Sequence, residues 1–263
     1  MTHPLAICLL TAFALMTIVW VISIPLKRVS IIDAFWGPGF LCLAVACWFV
    51  KQEDWSGQQW LLFGMVGAWA IRLGWHLSIR CFGDAEEDRR YAAMREKRDP
   101  GFWWKSLGIV FWLQAVILWA VALPLQFALT RSPQSVPAWL SVVAVCIWLI
   151  GLTFEAVGDW QLSRFRSNPE NSGKVLDSGL WGLTRHPNYF GDFMVWWGFW
   201  LLSVMIAAPI WTVMSPLIMS AFLMKFSGAG LLEKDISERR PKYAEYIQTT
   251  NAFFPWPRQK SSS

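Results

Sequence analysis

The sequence predicts an all-α, polytopic integral membrane protein of about seven transmembrane helices, with its N-terminus outside and its C-terminus cytoplasmic. Three observations carry this. Of 263 residues, 55% are hydrophobic, with 20 Trp and 18 Phe, which is too apolar for an ordinary soluble domain. Apolar runs of about 20 residues recur, the length that crosses ~30 Å of hydrocarbon. With seven crossings, 20 of the 23 Lys and Arg fall in the segments on one side, as the positive-inside rule requires. Buried helices of a soluble protein are the alternative, and seven such runs in one chain argue against it.

The spans lie near residues 5–25, 31–50, 58–79, 106–129, 137–160, 189–207 and 210–228. The first lacks a basic start and exits at Lys27 and Arg28, so it reads as a membrane helix and not a cleaved signal. The second carries Asp33 and Gly37, Pro38 and Gly39; the third carries Gly64, Gly67, Arg72, Gly74 and His76. Those small residues suit close helix approach. Between spans three and four lies the charged inner segment from Arg80 to Lys105. There Glu87 with Arg90, or Asp88 with Arg95, are expected to pair along a short surface helix; a solvated loop is the alternative.

Span four holds Gln114, and span five holds Glu155 and Asp159, four residues apart and so on one helical face. Residues 161–184 are rich in turn formers around Asn168, Pro169, Asn171 and Gly173. The last inner segment reads as an amphipathic helix over 233–246, then an aromatic anchor, Phe253, Phe254, Pro255, Trp256 and Pro257, with a disordered tail at 258–263. Residues 1–257 form a single membrane domain in this reading, its cofactor-binding half about 151–257.

Composition also limits function. The net charge of +5 follows from topology, and no basic low-complexity tract suits nucleic acid. The five Cys form no C-x-x-C pair, so neither a zinc site nor a disulfide framework is indicated. Cysteine as apolar filler is the default, and three His do not suggest a bound metal.

The segment richest in chemistry is Arg185, His186, Pro187, Asn188, Tyr189, Phe190, Gly191 and Asp192, set directly against an apolar run. Polar groups at the mouth of a membrane helix usually have a function. Glu155 and Asp159 lead toward it, and Arg166, Lys174, Arg185, Arg239 and Arg240 give the same face a capacity for phosphate. Anionic lipid headgroups are an alternative ligand. Asp33, Arg72 and His76 either pair between helices or orient a substrate oxygen.

The block Asp159 to Asp192, with Arg164, Arg166, Lys174, Gly179-Leu180-Trp181 and the Arg185–Asp192 motif, resembles the C-terminal half of membrane steroid 5α-reductases and sterol reductases. The tail, with Arg239, Arg240, Lys242, Tyr243 and Tyr246, is similar to their closing segment. With Asp33-Ala34-Phe35-Trp36-Gly37 and Glu87-Asp88-Arg89-Arg90-Tyr91, the whole chain looks like a bacterial branch of that superfamily.

The resemblance implies seven helices and NADPH on the cytosolic side, held by Glu155, Asp159, Arg166, Lys174, Trp181, Arg185, His186, Asn188, Tyr189, Asp192, Arg239, Tyr243 and Tyr246. It implies reduction of a C=C bond in an enone or an isoprenoid- or steroid-like lipid that enters from the bilayer of a bacterial inner membrane. The 5α-reductases place a Glu in their second helix; here Asp33 stands alone, with Tyr91, Arg72 and His76 as candidate catalytic companions. Membrane methyltransferases of the isoprenylcysteine and phospholipid type carry a similar Arg-His-Pro-x-Tyr and use S-adenosylmethionine, so that activity is the alternative. A non-enzymatic lipid-binding or transport protein is the third.

Overall fold

The computed structural model describes residues 4–51, 53–83, 87–134, 137–226 and 242–258. Among these every regular element is helical. The chain divides into two compact units, residues 1–136 with 203–212, and residues 137–202 with 213–263.

The first unit is built on α1 (Pro4–Leu26), α2 (Ile31–Ala34), α3 (Trp36–Val50) and α4 (Gly57–Gly83). A surface helix, α5 (Arg89–Arg98), follows. Then α6 (Phe102–Ser106), a π-helical turn (Leu107–Trp112) and α7 (Leu113–Val121) run on, followed by α8 (Leu123–Thr130). Helix α1 packs on α3 and α7, and α4 packs on α2, α3 and α8. The expected small-residue contacts hold at Gly37 and Gly74. A Cβ on Gly37 would sit 2.6 Å from the Ala70 carbonyl oxygen, and one on Gly74 would sit 2.8 Å from the Pro38 ring. Gly64 faces open space instead. Cys8 and Cys47 are fully buried filler, as expected, with their sulfurs 3.5 Å apart across α1 and α3.

The second unit is built on α9 (Ala138–Ser167), most of α10 (Pro187–Ile206), α11 (Met214–Ala221) and α12 (Lys242–Thr249). Short 3-10 turns at Pro169–Asn171 and Gly179–Gly182 shape the chain between α9 and α10. Helices α9 and α10 meet along a glycine seam. A Cβ on Gly151 would sit 2.6 Å from both the Gly191 oxygen and the Val195 nitrogen.

Four described helical stretches are long and apolar enough to cross a membrane: Pro4–Leu26, Phe102–Val121, Ala138–Ser167 and Pro187–Ile206. They fall on four of the seven expected spans, and the other three fall short for different reasons. Helix α3 has only 15 residues, about 22 Å at 1.5 Å per residue. Helix α4 is long, but Gln58, Gln59, Arg72, His76 and Arg80 dilute its apolar run. The stretch Ile210–Met224 is short and broken into a 3-10 turn, an α-helix and a π-turn. The expected helix over 233–246 lies partly outside the described residues. Its described end, α12, buries Tyr243 and Tyr246 on one face.

Candidate functional site

In the first unit, the charged inner segment folds back onto the start of α2. Asp88 is the N-cap of α5: its carboxylate accepts the Arg90 backbone N–H at 2.9 Å, satisfying a donor that the first turn would otherwise leave open. Glu87, one residue earlier, accepts the N–H groups of Val29 and Ser30, both at 2.9 Å. Arg95 reaches Glu87 at 3.1 Å and the Lys27 carbonyl at 3.0 Å. The ion pairs are therefore Asp88 with Arg90 and Glu87 with Arg95, the reverse of the expected pairing. The cap fixes Asp88 beside the first turn, and Glu87 is turned back toward residues 29 and 30.

This docking buries Tyr91, only 5% exposed. Its phenol donates to one Asp33 carboxylate oxygen at 2.9 Å, and Arg90 donates to the other at 2.9 Å. The Gln114 amide donates to the Tyr91 oxygen at 3.3 Å, and the Trp36 indole N–H donates to Gln114 at 2.6 Å. Donors thus run Trp36 to Gln114 to Tyr91 to Asp33, a chain whose members polarise one another. Burial and then the Asp33 charge push the Tyr91 phenol well above its ordinary range. It stays protonated at neutral pH, which suits it to donate to an oxygen and not to act as a base.

Asp33 bonds Arg90 and Tyr91. Arg72 and His76 lie half-buried on α4, one turn apart. Gln114 and Trp36 were not singled out as site residues. The signal for Gln114 was an amide inside an apolar run.

In the second unit, Glu155 and Asp159 are 3% and 6% exposed, on the face of α9 that meets the start of α10. Asn188 donates to Asp159 at 3.0 Å. The Trp181 indole donates to the Gly158 carbonyl at 3.0 Å, and the rings of His186 and Tyr189 stack at 5.5 Å. Asp192 follows on α10, half-buried, while Arg166 and Lys174 are exposed. Arg239 lies outside the described residues, as does Arg240.

Three of the expected cofactor residues have a second task. The Arg185 guanidinium donates to the carbonyls of Ile247 at 2.9 Å and Thr250 at 3.1 Å. It thereby satisfies acceptors that the end of α12 leaves open. The Tyr246 hydroxyl donates to the Trp181 carbonyl, and Tyr243 packs beside it with ring centroids 5.6 Å apart. Backbone bonds from Arg185 to Asn251 and from Trp256 to Leu183, both at 2.9 Å, complete a clamp between the motif and the tail. Of the expected aromatic anchor, Phe253 is buried against Phe190 and Phe193, while Phe254 and Trp256 are exposed.

The donor set can be tested against a dinucleotide. Arg166 and Lys174 offer exposed cations for phosphate, and the Asp159–Asn188 pair offers a carboxylate and a carboxamide beside the start of α10. Those four fit. Arg185, Trp181 and Tyr246 hold the clamp with their polar atoms. Among the described residues no cluster of three His, Cys, Asp or Glu forms a metal site.

Fold and site define a helical membrane protein with a buried polar network around Tyr91 in the first unit and one around Asp159 in the second. The chain belongs to the family described as "Protein of unknown function (DUF1295)", which matches residues 19–250. It is 23% identical to "Uncharacterized protein C594.04c" of Schizosaccharomyces pombe, over 97% of this chain and 80% of that one. It is 32% identical over 83 residues to the Delta(14)-sterol reductase erg24 of S. pombe, covering 27% of this chain and 19% of that enzyme. It is 27% identical over 128 residues to the Delta(14)-sterol reductase of Methylotuvimicrobium alcaliphilum, 43% of this chain and 29% of that one. A stretch of 50 residues is 42% identical to the probable O-methyltransferase ustE of Ustilaginoidea virens, 19% of this chain and 17% of that one. No solved structure matches. The similarity to sterol reductases is thus partial, covering less than half of this chain and less than a third of either enzyme.

Proposed function

We propose that this protein is a membrane-embedded, NADPH-dependent reductase that saturates a C=C bond conjugated to a carbonyl in an enone or an isoprenoid- or steroid-like lipid. The observation that carries the proposal is the buried Tyr91 phenol, held by Asp33 and Gln114 and kept protonated. When bound, NADPH supplies the hydride to the β-carbon. The Tyr91 O–H, which donates to Asp33 in this structure, turns to the substrate oxygen, stabilises the negative charge that develops there and passes its proton to the resulting enolate. Asp33 and Arg90 fix the phenol's orientation. Arg166 and Lys174 would hold the phosphates, a role also proposed for Arg239 outside the described residues, and Asp159 and Asn188 would bond the polar edges of the nucleotide. Glu155, His186, Tyr189, Asp192 and Tyr243 wall that site. Arg185, Trp181 and Tyr246 serve it by holding the tail in place. Arg72 and His76 remain candidates for orienting the substrate, which enters laterally from the bilayer.

Seven crossings, with the N-terminus outside and the C-terminus in the cytoplasm of a bacterial cell, complete the proposal. The one-sided distribution of Lys and Arg supports it.

The Arg185–Tyr189 motif and the local similarity to a probable O-methyltransferase favour one second reading, S-adenosylmethionine-dependent methyl transfer. That reading gives the protonated Tyr91 no part in the chemistry. Thermal unfolding of the purified protein separates the two. The reductase reading expects NADPH to raise Tm and S-adenosylmethionine to leave it unchanged; the opposite pattern replaces it with the methyltransferase.

A further inference from the structure

Helix α9 has 30 residues, about 45 Å at 1.5 Å per residue, so it overruns the ~30 Å hydrocarbon layer. Two exposed tryptophans mark where it leaves the membrane: Trp139 is 64% and Trp160 57% exposed. The 21 positions between them correspond to about 31 Å, the thickness of the apolar layer, and Trp is the residue enriched at both interfaces. The only charges between them, Glu155 and Asp159, are buried in the protein, so the lipid-facing surface is apolar. Beyond Trp160 the helix therefore runs at headgroup level.

At that level the structure has a groove of about 580 Å³. Trp160, Phe165 and Leu176 give it apolar walls, Arg164, Asn168 and Ser178 give it donors, and no carboxylate lines it. Asp177, next to the groove in sequence, pairs instead with Arg258 at 2.9 Å. The Arg164 guanidinium lies over the Trp160 ring at 5.5 Å and makes no ion pair among the described residues. It is one turn, about 6 Å, above the interfacial tryptophan. An exposed guanidinium on a ring, with hydroxyl and amide donors around it and apolar walls below, matches a phosphate attached to an acyl chain.

We propose that this groove binds the phosphate headgroup of an anionic phospholipid, with the acyl chains descending past Trp160. The proposal does not depend on the reaction the protein performs. A free phosphate or a nucleotide phosphate shares the chemistry, but neither would require the groove to sit at the membrane boundary.

The test is native mass spectrometry of the full chain purified in detergent, with phosphatidylglycerol or phosphatidylcholine added. The expected result is at least fivefold preferential retention of phosphatidylglycerol. Arg164→Gln should lower it to the phosphatidylcholine level, Arg164→Lys should keep part of it, and Arg131→Gln, elsewhere on the surface, should keep all of it. Equal retention of the two lipids overturns the proposal, as does unchanged retention in Arg164→Gln. Displacement of the lipid by NADPH, with NADPH binding weakened in Arg164→Gln, would assign the groove to the nucleotide. Displacement by inorganic phosphate would assign it to a free anion. A protein that binds no NADPH yet retains phosphatidylglycerol through Arg164 would overturn the reductase reading and leave this one standing.

Discussion

Replacing Arg185 with Gln tests the clamp at the end of the chain. The guanidinium is 9% exposed with its residue and donates to two carbonyls at the end of α12. Hydrogen bonds to charged groups contribute about 1.5–3 kcal/mol each, so the pair accounts for about 3–6 kcal/mol. Glutamine can keep one weaker bond, and the released carbonyls gain water when the helix loosens. The expected cost is therefore about 2–4 kcal/mol for local opening of α12, roughly a 30- to 1,000-fold rise in its open population. Limited proteolysis under conditions where opening and reclosing are fast reads this directly, as faster cleavage within 242–258 in the absence of any nucleotide. Arg185→Lys should show a smaller rise. If Arg185→Gln leaves proteolysis unchanged but abolishes nucleotide binding, the clamp is not what Arg185 does, and a direct cofactor role replaces it.

Acid should loosen the docked inner segment. Burial pushes the Glu87 carboxyl up, but bonds from the Ser30 hydroxyl, the Val29 and Ser30 N–H groups and Arg95 outweigh it and hold it below its ordinary value of 4.5. A group with a lowered folded pKa stabilises above its unfolded pKa, and that stability is lost as pH falls through the folded pKa. Hydrogen exchange at α5 should accelerate below about pH 4.5, and Glu87→Gln should weaken this pH dependence, leaving the part due to the Asp88 cap, while speeding exchange at neutral pH. At the α9–α10 seam, Gly151→Ala would drive a Cβ to 2.6 Å from backbone atoms of α10. It should destabilise by about 1–3 kcal/mol or more, seen as a lower Tm, whereas Gly64→Ala, in open space, should not.

The helical class and four of the spans were legible because each is a long apolar run whose polar residues turn inward. Helix α4 shows where that signal fades: Arg72, His76 and two glutamines lower its hydropathy, yet it remains one continuous helix of 27 residues. The network around Tyr91 was half legible. Asp33 and Tyr91 each stood out, but they are 58 positions apart, and nothing local in the sequence says that α5 folds back onto α2. That depends on Glu87 binding the N–H groups of Val29 and Ser30 while Asp88 caps α5, and two adjacent acids look alike in a sequence. Arg185 was legible only in part. A cation beside a polar motif suggests a phosphate, and nothing local shows that it also donates to carbonyls of a helix end more than 60 positions later. The groove beside Arg164 was hidden for a related reason. Two exposed tryptophans on one long helix acquire meaning only when their exposure is known.

The most direct measurement is a comparison of wild type and Tyr91→Phe, purified and supplied with NADPH and a long-chain or steroidal enone. NADPH oxidation is followed, and the product is weighed for two added hydrogens. Wild type should saturate the double bond, and Tyr91→Phe should lower kcat by about 10²–10⁴ while its Kd for NADPH stays within about twofold, because the phenol touches the substrate oxygen and not the nucleotide. A Tyr91→Phe protein that reduces the enone at the wild-type rate, or a wild-type protein that transfers a methyl group and leaves NADPH untouched, would contradict the account.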